Sequence, residues 1–253
     1  RRGDNVCCLS KNTFGTSLKN VTLELRQGEI LGIGGVAGNG QDELFAVLSG
    51  EQVSNKGSIS FKDTNINKLT PNQRRKIGLL SAPEERLGHA AAPNMSLIEN
   101  ILITSEQSQN LVSKGFIDWK KSKAFAEKVI NKFDVRTPGS QNTAGSLSGG
   151  NLQKFVIGRE ILQNPSVFIV NQPTWGVDAA AASSIRQALL TLSGNGAAIL
   201  VISQDLDELL EISDQFAALN EGALTKTKTT AKLSLEQIGL MMGGAKDLEA
   251  NNA

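Results

Sequence analysis

The stretch that decides the fold of this chain is Gly35-Val36-Ala37-Gly38-Asn39-Gly40-Gln41-Asp42. It follows the apolar run Ile30–Ile33 and precedes residues 43–48, whose composition is typical of a helix. A glycine-rich loop between a strand and a helix can turn its backbone N–H groups toward an anion, and the helix N-terminus adds positive potential behind them. We therefore interpret residues 35–42, called the glycine loop below, as a phosphate-binding loop. Its candidate binding residues are Gly35, Gly38, Asn39, Gly40, Gln41 and Asp42.

The last two residues of the glycine loop depart from the G-x-x-x-x-G-K-[ST] pattern that its glycines follow. Gln41 stands where a lysine would reach the phosphates, and Asp42 stands where a hydroxyl would contact Mg²⁺. Losing a charged donor costs about 1.5–3 kcal/mol, or roughly ten- to a hundredfold in affinity. Asp42 is open to two readings: it replaces the hydroxyl as a metal ligand, or it stabilises the N-terminus of the following helix.

The composition is that of an ordinary globular protein, with 253 residues of which 40% are hydrophobic and 20% charged. A net charge of +1 argues against a nucleic-acid partner. Cys7 and Cys8, the two cysteines, are adjacent, which disfavours a disulfide framework and favours a reducing, cytosolic compartment. No apolar run approaches the roughly 18–20 residues that span a bilayer. Because the chain opens on Arg1 without a methionine, we expect it to be a piece of a longer polypeptide.

Short apolar segments alternate with helical patterns, which predicts an α/β fold with a mostly parallel sheet. Because ligands of such sheets bind at the carboxyl ends of the strands, we expect the loops after these segments to converge on one crevice. Val21–Leu25 and Lys56–Phe61 alternate apolar and polar residues, which predicts a small antiparallel sheet. Residues 93–162 have a helical pattern that includes a capping box at Ser96 and Glu99. The apolar segments are Ile30–Ile33, Ile77–Leu80, Val167–Val170 and Ala198–Ile202.

A second glycine-rich motif, Leu147-Ser148-Gly149-Gly150-Asn151-Leu152-Gln153, precedes the apolar segment at Val167. It resembles the L-S-G-G signature of ABC-transporter ATPases, and it follows the glycine loop in the order that this family has. The resemblance extends from the glycine loop to the turn at 203–205. More narrowly, the chain resembles the second, C-terminal nucleotide-binding half of tandem ATPases that serve sugar and nucleoside importers. The segments that carry this narrower resemblance are Gly28–Ile33, Pro83–Gly88, Leu147–Lys154 and Gln172–Thr174.

The resemblance implies a P-loop NTPase core of the ABC ATPase type, with an N-terminal antiparallel β subdomain and an inserted α-helical subdomain. We expect residues 1–253 to form a single ABC nucleotide-binding domain. Its expected parts are the β subdomain with the glycine-loop part of the core (1–85), the helical subdomain ending in the signature helix (86–162), the rest of the core (163–245) and a frayed tail (246–253).

The resemblance also assigns roles by position, and three positions carry unexpected residues. Asn171 stands at the Walker B Asp that holds Mg²⁺, Gln172 replaces the Glu that activates the attacking water, and Gln204 replaces the switch His. A missing general base costs on the order of 10²–10⁴ in rate, and a glutamine amide cannot accept that proton. We therefore name no catalytic residue and expect no hydrolysis at this site. The remaining positions that the resemblance assigns to nucleotide contacts are Glu84 at the Q-loop, Asp178 in the D-loop and Phe14 as an adenine-stacking aromatic.

The signature, unlike the site above, keeps its residues Ser148, Gly149 and Gly150. In the family two such domains pair head to tail, and each signature completes the phosphate site of the partner. The resemblance thus implies ATP and Mg²⁺ as cofactors, weakly bound or absent at this chain's own site. It implies two kinds of partner: a second nucleotide-binding domain, N-terminal in the same full-length chain, and membrane permease subunits that contact residues 86–103. It also implies a cytoplasmic position on the inner face of the membrane.

Three functions follow from this sequence. The first is the nucleotide-binding domain of a nucleoside or sugar importer, with a degenerate site of its own and a signature that serves its partner. The second is a non-hydrolysing scaffold or regulatory domain that does not bind nucleotide itself. The third is a soluble ABC protein of the DNA-repair or translation type, which the absence of a basic excess and of long coiled-coil arms disfavours.

Overall fold

The computed structural model describes residues 5–13, 18–54 and 56–244; Phe14 and the tail 246–253 lie outside the described residues. The strands are β1 (Asn5–Thr13), β2 (Val21–Arg26), β3 (Ile30–Gly34), β4 (Lys56–Phe61), β5 (Thr64–Asn65), β6 (Leu79–Ala82), β7 (Val112–Ser113), β8 (Phe116–Ile117), β9 (Val167–Asn171), β10 (Ala198–Ile202), β11 (Gln215–Asn220), β12 (Ala223–Leu224) and β13 (Lys228–Thr229). The helices are α1 (Gln41–Ser49), α2 (Pro71–Lys76), α3 (Leu97–Ser105), α4 (Trp119–Lys132), α5 (Gly149–Ile161), α6 (Ala179–Gly194), α7 (Leu206–Ile212) and α8 (Leu235–Met242).

The core is a sheet with the strand order β12-β11-β3-β10-β9-β6. Neighbouring strands run parallel from β11 to β6, whereas β12 and β13 pair antiparallel with β11. The strands β3, β9 and β10 are buried along their whole length. Such burial is expected where other elements cover both faces of a parallel sheet. The mostly parallel sheet predicted from the sequence is confirmed.

Successive side chains of the central strands pack into two separate cores, one on each face of the sheet. Phe168 and Val170 belong to the core that α5, α6 and α7 cover. Val167 and Ile169 belong to the other core, which includes α1 and the apolar side chains of β2 and β4. These two strands belong to an antiparallel sheet with the order β2-β1-β4-β5. The predicted antiparallel sheet is therefore present, and it closes the second core.

The strand predicted at Ile77–Leu80 begins two residues later, because its first residue caps α2 and Gly78 follows with a φ of +91°. The helix α2 was not expected from the apolar pattern. It starts with a capping box in which Thr70 Oγ1 accepts from the Gln73 N–H and the Gln73 side chain accepts from the Thr70 N–H. A helix of 6 residues is too short to show an apolar period, so only its cap marks it.

The segment between β6 and β9 carries three helices, as the pattern predicts. Its predicted capping box is present: Ser96 Oγ accepts from the Glu99 N–H, and Glu99 Oε2 accepts from the Ser96 N–H at 2.7 Å. The end of α4 approaches α5 closely at Gly158, where a Cβ atom would lie 2.5 Å from the ring of Phe133. The helix α5, which carries the signature at its start, is therefore held tightly against α4.

A buried charge network joins α5 to α2 and to the loop before α3. Glu160 is fully buried, and it accepts from Arg75 Nη1 at 2.7 Å and from Arg159 Nε at 2.9 Å. Arg159 also donates to the carbonyl oxygens of Asn100 and Ala90. Burial by itself would raise the pKa of Glu160, but the two guanidinium groups outweigh burial and hold that pKa below its ordinary value. The network fixes the signature helix to the core.

We expect Glu160→Gln to lower the free energy of unfolding by about 3–5 kcal/mol, because it leaves two buried guanidinium groups without a counter-charge. The pKa of Glu160 is lowered in the folded state, so its contribution is present above the ordinary glutamate pKa and is lost as the pH falls through the folded value. The cost of the substitution should therefore shrink on acidification. Urea unfolding followed by circular dichroism at several pH values measures both effects.

The matched control is Glu127→Gln, which removes an exposed carboxylate of α4 that pairs with Lys123. A surface pair of this kind contributes about 0.3–0.5 kcal/mol, so the control should unfold almost as the wild type does. Equal losses in the two variants would show that the Glu160 network contributes nothing beyond a surface pair.

Candidate functional site

The loops that follow β3, β6, β9 and β10 meet at one edge of the central sheet. A cleft of about 940 Å³ opens there, and it is lined by residues from α1, from the loop after β6 and from the end of β9. The loops after β9 and β10 are joined directly, since the Gln204 N–H donates to Gln172 Oε1 at 3.3 Å. The predicted convergence on one crevice is confirmed for the loops after β3, β6 and β9, and the loop after β10 joins them through its contact with Gln172. The residues that line the cleft include Asp42, Glu84, Arg86, Gly149, Asn171 and Trp175.

The glycine loop has a backbone that requires its glycines. Gly38 and Gly40 have φ values of +82° and +110°, in the left-handed region that favours glycine. A Cβ atom at Gly35 would lie 2.5 Å from the Leu219 carbonyl oxygen, so a side chain there would collide with β11. The loop thus adopts the tight strand-to-helix turn that the sequence predicts, and α1 begins at Gln41.

Gln41 lies inside the glycine loop and is only 8% exposed. Its side-chain Oε1 accepts from the Asn39 N–H at 3.0 Å, and its Nε2 donates to the Val36 carbonyl oxygen at 2.9 Å. Asn39 is held from the other side, because its Oδ1 accepts from the Glu221 N–H at 2.7 Å and its carbonyl oxygen accepts from the Gly222 N–H at 2.8 Å. The hairpin between β11 and β12 therefore pins the tip of the loop.

Asp42 and Asn171 face each other across the start of α1 and the end of β9. Asn171 Nδ2 donates to Asp42 Oδ1 at 3.2 Å, while the Asn171 Oδ1 atom is buried with no hydrogen-bond partner. The pKa of Glu84 is raised by burial and by the carboxylate of Asp42, and the guanidinium of Arg86 opposes this rise. Among the described residues, no group of three or more His, Cys, Asp or Glu is arranged to hold a metal ion. The metal role of Asp42 stays a prediction.

The positions predicted for the base and the switch residue both carry neutral side chains. Gln172 is buried, has a φ of +53°, and its Oε1 accepts from the Gln204 backbone N–H. The titratable group behind them is Glu208, which accepts from Ser203 Oγ at 2.8 Å and whose pKa is raised by burial. Glu208 is 2% exposed, so it is covered by the fold. Neither side chain at positions 172 and 204 can accept a proton from water at neutral pH.

Arg86 links the start of α5 to the turn after β9, a role that the sequence does not predict. Its Nε donates to Gln153 Oε1 at 2.9 Å, and its Nη2 donates to the Trp175 carbonyl oxygen. Gln153 Nε2 in turn donates to the Pro173 carbonyl oxygen at 2.8 Å. A Cβ atom at Gly149 would lie 2.9 Å from Arg86 Nη1, which explains a small residue there. The contacts tie the start of α5 to the turn after β9, and spacing alone does not reveal them.

Ser148 and Gly149 of the signature are exposed, and Gly149 lines the same cleft as Asp42 at the end of the glycine loop. Ser148 caps α5 by its backbone position only, and its Oγ accepts from Asn151 Nδ2 at 2.9 Å. Ser148, Gly150 and Asp178 line a second groove, of about 790 Å³, to which no residue of the glycine loop contributes. Asp178 caps α6 by accepting from the Ala181 N–H at 2.8 Å, and this hydrogen bond lowers the pKa of Asp178. The structure does not bring the signature serine to the chain's own loop.

Comparison with known proteins decides the family. A family model described as "ABC transporter" matches residues 18–175. The chain belongs to the ABC transporter family. The glucose import ATP-binding protein of Haloferax volcanii is 36% identical over 236 residues, which are 92% of this chain and 43% of that protein. The guanosine import ATP-binding protein of Bacillus subtilis is 34% identical over 244 residues, 96% of this chain and 48% of that protein.

Solved structures show the same ABC cassette fold. A nucleotide-free ATP-binding cassette from an ABC transporter superimposes with a TM-score of 0.73 at 21% identity, over 95% of this chain and 96% of that chain. A dimeric cassette bound to ADP and Pi gives a TM-score of 0.74 at 19% identity, over 88% and 98%. This chain spans less than half the length of the curated ABC relatives named above. Within the described ranges no helix is long and apolar enough to cross a bilayer.

The glycine loop of this ABC chain does not fit the Mg²⁺-bound triphosphate that the family implies. The Asn39 N–H already has a partner inside the loop, and residues 41 and 42 supply neither a cation nor a hydroxyl. Asn171 offers one free oxygen, but its amide nitrogen is spent on Asp42. We therefore derive no chemical step at this site.

We expect Asp42→Asn to lower the pKa of Glu84, because it removes the like charge that helps to raise it. A pH titration of the Glu84 carboxyl carbon by ¹³C NMR measures the change. The matched control is Glu43→Gln, which removes a charge from the next residue of α1 in the same cleft and should leave Glu84 almost unchanged. A Glu84 pKa that does not move in Asp42→Asn contradicts the interaction of the two carboxylates.

Proposed function

We propose that this chain is a nucleotide-binding domain of a sugar or nucleoside importer, and that it acts on the ATP bound by a partner domain. Its own site is degenerate, and its signature residues Ser148, Gly149 and Gly150 complete the partner's site. The observation that carries the proposal is the contrast between the two helix N-termini. The loop before α1 is filled by Gln41, whereas the start of α5 is exposed and keeps its hydroxyl and glycines.

The transport role is supported by the names of the relatives, which include glucose, guanosine and nucleoside import ATP-binding proteins. The partner domain would be the N-terminal half of the same full-length protein, which fits the share of each relative that this chain covers. Membrane permease subunits would then bind residues 86–103, on the cytoplasmic face of the membrane. The same names argue against a soluble ABC protein of the repair or translation type.

The start of α5 can recognise a phosphate presented by the partner. The first N–H groups of a helix have no intrahelical acceptor, and the helix dipole adds positive potential there. Asn151 occupies one acceptor position of Ser148 Oγ, which leaves the hydroxyl proton available for an outside acceptor. Gly149 and Gly150 place no side chain in the way of an approaching phosphate. These donors would stabilise the charge that develops on the γ-phosphate during hydrolysis at the partner's site.

Hydrolysis at the chain's own site would lack its usual groups. Gln172 and Gln204 both end in neutral amides, Gln172 Oε1 accepts from the Gln204 backbone N–H, and Asn171 carries no charge for a metal. We propose that this half is hydrolysis-deficient and contributes in the full-length protein through α5. A second candidate, a scaffold that never binds nucleotide, is favoured by the filled glycine loop. Isothermal titration of the full-length protein with ATP–Mg²⁺, in which one or two sites are counted, separates these two possibilities.

We expect Ser148→Ala to reduce the ATPase activity of the full-length protein in its membrane complex by roughly ten- to a hundredfold. Losing one hydrogen bond to a charged group costs about 1.5–3 kcal/mol, which corresponds to that factor. Steady-state phosphate release from the reconstituted complex measures the loss.

The matched control is Ser146→Ala, because Ser146 is also exposed but donates to the Thr143 carbonyl oxygen within its own turn. It should retain the wild-type rate. A Ser148→Ala complex that hydrolyses ATP as fast as the wild type would refute the proposed role of the signature.

A further inference from the structure

We propose that the Gln41 side chain closes the glycine loop by taking the position of a phosphate oxygen, so that the loop must open before it binds an anion. The inference concerns the chain's own loop and does not depend on the proposed role of Ser148. On this proposal an anion binds the loop weakly because it competes with the Gln41 side chain. The absence of a lysine charge at position 41 is then a second cause.

A glutamine at position 41 brings a hydrogen-bond acceptor that a lysine lacks. A lysine at this position carries three donors and no acceptor, so it cannot bind the N–H groups of the loop. The Gln41 amide carries both functions, and its Oε1 accepts from the Asn39 N–H at 3.0 Å. That N–H belongs to the set that a phosphate-binding loop turns toward its anion. The side chain thus satisfies internally a donor that a phosphate oxygen would otherwise use.

The Val36 carbonyl oxygen already has its full set of hydrogen-bond donors. It accepts from Gln41 Nε2 at 2.9 Å and from Asn39 Nδ2 at 2.8 Å. A carbonyl oxygen has two lone pairs, and both are occupied here. The amide of Gln41 fits against Gly35 only because that residue has no side chain, since a Cβ atom would lie 2.7 Å from Gln41 Nε2. The loop and its filling side chain are complementary.

Contacts from outside the glycine loop also hold Asn39 in position. The hairpin after β11 holds Asn39 through the N–H groups of Glu221 and Gly222. These contacts keep the Asn39 N–H in place for Gln41, whose side chain is covered from solvent. An anion that binds the Asn39 N–H must therefore displace Gln41 Oε1, and the rotation that moves this amide away also breaks its Nε2 hydrogen bond to Val36.

Only molecules whose loop is open can bind an anion. The apparent affinity is therefore the affinity of the open loop multiplied by the fraction of molecules that are open. Two neutral hydrogen bonds in the lower part of the usual range of net strength correspond to an open fraction of roughly one in ten, and thus to about a tenfold weaker binding. If the missing lysine were the whole cause, a further loss of polar atoms at position 41 would leave affinity unchanged or reduce it. The two explanations therefore predict opposite signs.

We expect Gln41→Ala to bind ADP and inorganic pyrophosphate about tenfold more tightly than the wild type, because the open fraction approaches one. Isothermal titration calorimetry of the full-length protein measures both ligands; where that protein carries the partner domain proposed above, a substitution in the partner's own phosphate loop blocks the second site. The shorter amide of Gln41→Asn cannot span from Asn39 to Val36, so it should also bind more tightly.

The matched control is Gln73→Ala. Gln73 also uses its amide oxygen to accept a backbone N–H, that of Thr70, but it lies at the exposed start of α2. The Gln73→Ala protein should bind ADP and inorganic pyrophosphate with the affinity of the wild type. Thermal unfolding of each variant verifies that the protein is folded at the titration temperature.

A second readout needs no ligand. In the wild type the Asn39 amide proton should exchange slowly with solvent, and Gln41→Ala should accelerate this exchange about tenfold, whereas Gln73→Ala should not. Folded Gln41→Ala and Gln41→Asn with wild-type or weaker affinity, or an Asn39 amide that exchanges equally fast in wild type and Gln41→Ala, would overturn the proposal. Neither readout measures ATP hydrolysis at the partner's site, so failure here is distinguishable from failure of the Ser148 proposal.

Discussion

The parallel register of the central strands is the constraint on which the site depends. Ile202 of β10 pairs with both Ile33 of β3 and Asn171 of β9, so the carboxyl ends of these three strands are level. The strand β6 joins the same edge, with Ala82 opposite Val170. Because successive side chains of these strands fill cores on opposite faces of the sheet, a slip of one residue would move each side chain into the wrong core and disrupt the packing of both. The four loops that follow are therefore delivered to one place.

Two helix N-termini of this ABC chain have the same kind of chemistry and opposite surroundings. The start of α1 is enclosed by the glycine loop, and the amide of Gln41 hydrogen-bonds to the Asn39 N–H and the Val36 carbonyl oxygen of that loop. The start of α5 is open, although the body of α5 is anchored by the buried ion pairs of Glu160 with Arg75 and Arg159. A rigid helix with an open N-terminus is suited to recognition in trans. The two hydrogen bonds of the Gln41 amide favour the closed conformation of the glycine loop.

Two of the substituted residues around the loop hydrogen-bond to neighbours. Asn171 donates to Asp42, and Gln172 accepts from the backbone N–H of Gln204. Where a cation-binding acid pair and a base would stand, the structure has neutral amides. Burial and the carboxylate of Asp42 raise the pKa of the neighbouring Glu84. The site therefore keeps acidic groups at Asp42 and Glu84 while its amides replace the acids at positions 171 and 172.

The sequence by itself determined the α/β fold, the loop at Gly35–Asp42 and the signature at Leu147–Gln153, because strand period, glycine spacing and motif order are local properties. It missed α2, and it placed β6 two residues early, since a six-residue helix has no apolar period. Only the tertiary structure decided that Gln41 turns into its own loop, that Arg86 bridges α5 to the turn after β9, and that Ser148 faces a separate groove. Each of these depends on side-chain direction or on contacts between segments far apart in the chain, and residue spacing carries neither.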